Sequence, residues 1–509
     1  MSPIAFGLGS SRAFGIGKSS GSIPYWLQSI NLNFSSSQSD AYYTQDIAKD
    51  SSGNIYVLGN SSYDWSSSSY CVVVKFNESG DPQWTARIPN NASSIIHWGT
   101  NLHVTPDGST VYVIGTTYSA AFGTASDVLV VKITTSNISP PGQYGSTIPL
   151  EVYRMYLTDG SLDEQEDNVL SVVDSSGNIY VAYNHFGDNG TFTDVILTKC
   201  SISSNTLNVA WSKIITASAG ASNQFVNGIH LDSSENIYWS GSTDGQTIPL
   251  IGKHNKTNGS LIWCKQIQIT DYVPYTSPLH IDSNDNIYLT GFSGRIATSN
   301  YGLSLTKINS SASLVWQRII QSPTFNSSEI IAGARVTTDT SNNVYILGQT
   351  NVNTAGGSDV FLGKFDPSNG NLLFGRSFGG DLDDFSTGFN GNTPAYKIIA
   401  DSNSLIFAGI LGNIVPFQPE ETCGLLCKLP VDGSKTGAYM TKLSNASFGG
   451  MLTSYIVQYN TFSWGTNGDF TSNTTISDFA VTLLNATQTT ANISESGLNF
   501  PINTFKTSI

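Results

Sequence analysis

The chain has 509 residues, a net charge of −14 and only 12% charged residues. That balance excludes a nucleic-acid-binding surface, because no basic stripe is available to neutralise phosphates. No run of about 18 apolar residues is present, which excludes a membrane-spanning helix, while 9 Trp, 23 Tyr and 24 Phe supply a large core.

The first stretch says nearly the same thing twice: "AFGLGSS" at residues 5–11, then "AFGIGKSS" from Ala13. It is too short to fold alone, and its glycines cost too much backbone entropy. Residues 1–23 therefore read as a flexible arm. Phe6, Leu8, Phe14 and Ile16 are its apolar beads, tethered so that they dock together into another subunit. Glycines and serines interrupt any apolar region behind Arg12 and Lys18, so no secretory signal is read here. A nucleotide loop fails as well. Arg12 stands where a P-loop needs Gly five positions before "GKS", and Ser20 stands where a dinucleotide fingerprint needs its third Gly.

After "YWLQSINL" at Tyr25 a repeat begins. "DSSGNIYVLG" (from Asp50) recurs as "PDGSTVYVIG" (Pro106), "DSSGNIYVAY" (Asp174), "DSSENIYWSG" (Asp232), "DSNDNIYLTG" (Asp282), "DTSNNVYILG" (Asp339) and "DSNSLIFAG" (Asp401). A second strand ending in lysine follows each copy, at Lys75, Lys132, Lys199, Lys253, Lys307, Lys364 and Lys428. Then come a polar turn and, in most copies, an aromatic-led strand starting at Trp84, Trp211, Trp263, Trp316 or Phe374. Apolar and polar residues alternate with period two, and the connections are turn formers. With the short apolar segment before each Asp, every unit holds four strands. Equivalent aromatic residues recur every 50 to 68 residues. Seven four-stranded antiparallel units describe an all-β, seven-bladed β-propeller, a ring with only short protected edges. An open solenoid fits less well, because no capping repeats are seen.

The segment "SDVFLGKFDPSNGNLLFGRSFGGDLDDFSTGF" (residues 358–389), with "DIAKDSSGNIYVLG", resembles the SBBP-type β-propeller repeat. The resemblance covers about residues 24 to 440 and implies the fold rather than an activity. Three regions result: an anchoring arm (1–23), the propeller (24–443) and a Ser/Thr/Asn-rich, β-rich extension (444–509). "YWLQSINL" (25–32) is expected to join the last blade and close the ring, with "AYMTKL" (438–443) as its rival. The extension holds apolar runs such as "MLTSYIVQYNTF" and is expected to pack on the ring or on a neighbour.

The chemistry read from the sequence is sparse. The lysines share one register and so serve the fold, each strand-end ammonium lying in water near the Asp of the adjacent hairpin turn. That Asp closes the hairpin by accepting from its own turn's amides. The five cysteines suit buried small residues. Cys423 and Cys427 would lie on one strand face about 13 Å apart, too far for a disulfide. An EF-type calcium loop lacks its further acidic ligands and terminal Glu. His103, His230 and His280 occupy one repeat position, either between blades or around a central channel. No nucleophile elbow or His-Glu-x-x-His motif is present, so no catalytic residue, metal or cofactor is assigned.

Strand order puts the tight turns on one face and the long irregular loops on the other, where binding usually resides. Two acidic clusters fall there: Asp159, Asp163, Glu164, Glu166 and Asp167, and then Asp381, Asp383 and Asp384. They are candidate cation or sugar contacts, or solvated loops. The arm also looks like the Gly/Ser-rich, Phe-containing starts of structural proteins of tailed phages infecting marine cyanobacteria. That resemblance implies a non-enzymatic virion component, an appendage or decoration, held to other virion proteins by residues 1–23. Its loop face would meet a host-surface glycan or protein, with no nucleic acid and no membrane insertion, and with a homo-oligomer open. Two alternatives stand beside it: a cell-surface or secreted adhesin, and a metal-dependent propeller hydrolase or lyase using the acidic loops.

Overall fold

In the computed structural model the chain is a seven-bladed β-propeller. The structure describes residues 25–508 except the connections 36–37, 41–42, 62–70, 89–94, 120–125, 139–146, 149, 158–164, 187–192, 218–223, 244–247, 270–271, 296–300, 322–330, 352–358, 380–396, 412–422, 446–450, 462–466, 470–471, 473, 479–480, 486–487, 494–496 and 499–501.

Blade 1 is built from Tyr43–Lys49, Ile55–Asn60, Cys71–Phe76 and Pro82–Ile88, and blade 2 from Ile95–Val104, Thr110–Ser119, Ser126–Thr134 and Leu150–Leu157. Blade 3 follows with Gln165–Val173, Ile179–Phe186, Thr193–Ser203 and Thr206–Ala217, then blade 4 with Gln224–Leu231, Ile237–Thr243, Ile248–His254 and Leu261–Ile269. Blade 5 holds Tyr272–Ile281, Ile287–Arg295, Tyr301–Ile308 and Leu314–Gln321; blade 6 holds Ile331–Thr338, Val344–Thr350, Asp359–Phe365 and Leu372–Gly379. Blade 7 takes three strands from the end of the repeat region, Ile398–Ala400, Ser404–Leu411 and Cys423–Pro430. Its fourth is Trp26–Ser35, whose Trp26 pairs with Lys428 and Ile30 with Gly424. The expected ring closure by the N-terminal strand is met.

The rival segment goes elsewhere. After blade 7 the chain crosses outward, and among the described strands Gly437–Asn445 pairs with Met451–Thr461, which lies against the fourth strand of blade 6. From there the extension passes backwards around the ring. Asn467–Asp469 pairs with blade 5, Thr474–Asp478 with blade 4, Val481–Asn485 with blade 3 and Gln488–Ile493 with blade 2. Gly497–Leu498 touches blade 1 through Leu498 and Arg87, and Ile502–Ser508 pairs with Trp26–Ser35 of blade 7. Residues 451–508 thus form a belt that adds a strand outside all seven blades. Sheet twist makes one continuous belt feasible. Each successive strand turns by roughly 20–25°, so a fifth strand lies nearly across the first and runs along the circumference. The belt covers outer edges that would otherwise offer unpaired backbone groups.

The repeated residues build the ring from inside each blade. Asp50 accepts from the amides of Ser52 (3.0 Å) and Asn54 (2.9 Å), and its other oxygen takes the Tyr56 hydroxyl at 3.0 Å. Asp174, Asp282 and Asp339 do the same with Tyr180, Tyr288 and Tyr345. The expected turn-closing role holds, and the tyrosine extends it into the core. The lysines differ from expectation. Lys75, Lys199, Lys307 and Lys364 lie over those tyrosine rings and Lys253 over the equivalent Tyr238, at 4.8–5.3 Å. Lys253 does reach Asp232 at 2.9 Å, but only 16% and 3% of those side chains are exposed. A long aliphatic stem is cheap to bury against aromatic faces, and the ammonium gains a cation–π contact there.

The freed ammonium then staples blade to blade. Lys307 Nζ and Trp316 Nε1 of blade 5 both donate to the carbonyl of Pro367 in blade 6, at 2.8 and 3.1 Å. Lys428 and Trp26 of blade 7 both donate to the carbonyl of Glu78 in blade 1, each at 3.4 Å, so the closing joint reuses the repeat device. The aromatic ring rests on a turn glycine of the next blade. Gly370 has φ +72°, and a Cβ there would stand 2.8 Å from the Trp316 ring. Gly80, at φ +81°, sits likewise under Trp26. A side chain at either place would face both backbone strain and a clash. Four of the cysteines, Cys71, Cys200, Cys264 and Cys427, are buried thiols.

Candidate functional site

The hairpin turns and the third-to-fourth-strand turns share one end of the ring, the turn face. The second-to-third-strand and inter-blade connections leave from the other, the loop face. Asp159, Asp163, Glu164, Asp381, Asp383 and Asp384 lie on connections outside the described residues, as do Phe6, Leu8, Phe14 and Ile16. Glu166 and Asp167 fall on the first strand of blade 3, in register with His185 and Asn184. His185 in turn pairs with Asp194. Glu166, His185 and Asp194 thus occupy one cross-strand row at the loop-face rim of blade 3.

Asp194 escaped the sequence reading, although a signal was there. Five residues before the repeat lysine, three blades carry Ser/Thr-Asp-Val: Asp127, Asp194 and Asp359. Alternation along the strand turns Asp194 toward blade 2, together with Ile196. In blade 2 the equivalent Asp127 bonds Arg154 at 2.9 Å, with 12% and 16% of the side chains exposed. In blade 6 Asp359 is buried against Gly379, where a Cβ would stand 2.2 Å from the carboxylate. Blade 3 has Ile214 where blade 2 has Arg154, because Ile214 pairs with Ile196 as Arg154 pairs with Leu129.

Burial pushes the Asp194 carboxyl up to about 6. The Asp194 carboxyl can therefore hold or release a proton in the mildly acidic range. In the unfolded chain an Asp titrates near 3.9. Between about pH 4 and 6 the folded state binds more protons than the unfolded one, so stability falls as pH rises through that window. Asp194→Asn should remove that dependence and raise the stability at pH 7.5 by about 1 kcal/mol, the shift being discounted for partial exposure. Urea midpoints at pH 4.5 and 7.5 measure it, and equal pH dependence in both proteins would refute this assignment.

A second group of titratable residues surrounds the ring axis. His103 Nε2 bonds Ser171 Oγ of the next blade at 2.9 Å, and His280 Nε2 bonds Thr338 Oγ1 of the next blade at 2.9 Å. The His230 ring meets that of His280 edge-on at 5.0 Å between centroids. Burial, helped by the Lys397 ammonium, takes His103 down to about 3. Burial and the same lysine lower His230, and burial carries His280 well below the usual imidazole range. These are neutral, blade-joining side chains. Lys397 itself pairs with Asp46 at 3.1 Å, and Asp46 also accepts the Leu102 amide at 2.8 Å. Among the described residues no three His, Cys, Asp or Glu side chains are grouped to hold a metal ion.

No family model matches the chain, and no curated protein sequence matches it. Solved structures do match in general shape. The polysaccharide lyase Uly1 aligns at 8% identity and TM-score 0.42, over 83% of this chain and 94% of its own. An exo-β-1,3-galactanase from Phanerochaete chrysosporium, solved with galactose, aligns at 10% identity and TM-score 0.32, over 79% and 95%. The acylaminoacyl peptidase of Pyrococcus horikoshii aligns at 10% identity and TM-score 0.37, over 79% of this chain and 55% of its own. At such values none of these carries an argument about activity.

Proposed function

We propose that the chain is a non-enzymatic structural component of a tailed-phage particle. Residues 1–23 anchor it to other virion proteins, and the propeller presents its loop face outward as an interaction or host-contact platform. One observation carries this reading. Tyr25, from which the arm continues, donates its hydroxyl to the carbonyl of Asn403 in the hairpin turn of blade 7 at 3.2 Å. Tyr25 therefore stands at the turn face, and Ser508 pairs beside it with Trp26. On this reading anchor and platform use opposite ends of the ring.

The repeated charged residues support the same reading, since the Asp–Tyr–Lys–Trp set is consumed in building and joining blades. Variable loops on such a frame suit recognition of a host-surface glycan or protein. A chain lacking residues 1–23 keeps every described strand. It should fold normally yet enter particles about tenfold less or worse, because two tethered beads are lost together. Quantitative mass spectrometry of purified particles measures this, and equal incorporation of the two chains rejects the anchoring role.

A further inference from the structure

Three ion pairs cross the joint between blades 7 and 1. Lys49 Nζ lies 2.5 Å from Asp401 Oδ2, Lys397 Nζ 3.1 Å from Asp46 Oδ1 and Lys428 Nζ 3.3 Å from Glu78 Oε1. Each ties a residue of blade 1 to one in the last part of the repeat region, 350 to 352 residues away in sequence. The pairs Lys132–Glu151 and Arg154–Asp127, by contrast, stay inside blade 2, and Lys253–Asp232 stays inside blade 4.

The repeat marks these charges as additions. Just before the repeated Asp, where blade 1 has Lys49, the other blades have Thr105, Val173, Leu231, Ile281, Thr338 and Ala400. Where blade 1 pairs Asp46 with Leu58, the equivalent first-strand residues are Asn101, Leu170, Gly228 and Arg335. At the turn carbonyl that receives the lysine of the preceding blade, Glu78 adds a carboxylate where Lys256, Pro367 and Val431 offer none. Blade 7 is altered to match. It has Phe407 in place of the repeat tyrosine, so no phenol claims Asp401 Oδ2, and Lys49 takes that oxygen instead.

We propose that the three pairs form an ionic lock, by which blade 7 selects blade 1 among seven similar blades and which makes this the salt-sensitive joint of the ring. Polarity supports the selection. Blade 7 supplies the cation twice and blade 1 once, so the matching face of another blade would set Lys397 against an uncharged residue or Arg335, and Lys428 against Lys256 at one of them. Such a pairing would also leave Asp46, 6% exposed, without its lysine. Each pair keeps one partner in contact with solvent, Asp401 at 35%, Lys397 at 38% and Glu78 at 59%. Dissolved ions therefore screen all three.

Amide exchange of the full-length protein in about 0.05 M and about 1 M NaCl tests the lock. Exchange at 43–49 and 404–411 should quicken about fivefold relative to 331–338 and 344–350, the same strands of blade 6, which serve as the reference. An unchanged ratio overturns the proposal. Lys49→Gln and Lys49→Glu give the second test, at a partly exposed position. The Glu variant faces Asp401 with a like charge, so at low salt it should exchange about threefold faster at 43–49 and 404–411 than the Gln variant, and at high salt the two should coincide. A lysine needed only for its bulk would respond alike to both substitutions. Equal exchange at low salt, or a difference that salt leaves intact, therefore overturns the lock.

Discussion

Trp26→Ala should cost the ring about 3–5 kcal/mol, the range for removing a fully buried tryptophan. Trp26 is 1% exposed and belongs to a core cluster that spans blades 7 and 1, with Ile30, Ile47, Val72, Val74 and Leu426. Its indole donates to the Glu78 carbonyl and lies on Gly80, so the substitution also leaves a cavity over a left-handed glycine. The loss falls at the one joint where the two ends of the repeat region meet. Urea unfolding should show a lowered midpoint, and amide exchange should quicken first in blades 7 and 1. Trp316→Ala, at the repeat joint between blades 5 and 6, serves as the control. It should lower stability comparably while quickening exchange in blades 5 and 6 instead. A midpoint unmoved by Trp26→Ala would mean that the belt alone holds the circle shut.

Ending the chain at Phe500 is the second large effect. It removes Ile502–Ser508, the strand that pairs with Trp26–Ser35 from Trp26↔Ser508 to Leu32↔Ile502. At about 0.5–1.5 kcal/mol per ladder hydrogen bond and about one bond per residue pair, the loss comes to about 4–10 kcal/mol. It also bares the outer edge of the closing strand, the kind of edge on which another chain can add a strand. The truncated protein should therefore unfold at lower urea and sediment partly as dimers or larger species. A monomer of unchanged stability would show that the last belt strand is dispensable.

Both effects bear on the proposed role. A particle component that must keep its shape gains from two closures that meet on one strand, Trp26–Ser35, which pairs with the last blade on one side and with the belt on the other. Where the belt pairs, the outer edge is closed, while Ile262, Val315 and Leu373 of blades 4, 5 and 6 are exposed.

The carboxyl of Asp194 shows how a repeat hides a special residue. Asp127, Asp194 and Asp359 look alike in sequence, and each begins the third strand of its blade. What separates them is the opposing residue on the fourth strand, Arg154 in one blade and Ile214 in another, and that needs the register. The lysines make the same point. Their common spacing marks a shared structural task, but the carbonyls that Lys199, Lys307 and Lys364 reach lie in the next blade, more than fifty residues away, while Lys132 pairs with Glu151 of its own blade.

The sequence by itself determined the blade count, the four strands per blade, the turn chemistry of the repeated Asp and the strand that closes the ring. Those features are written in local periodicity, where each residue's neighbours in sequence are its neighbours in space. Only the tertiary structure decided where the strands of the C-terminal extension pair, and which repeated aspartate has Ile214 where another blade has an arginine. A belt strand such as Val481–Asn485 carries no mark of its partner Lys213–Ala217. Its place follows from the twist and circumference of a ring that exists only once the seven blades have assembled.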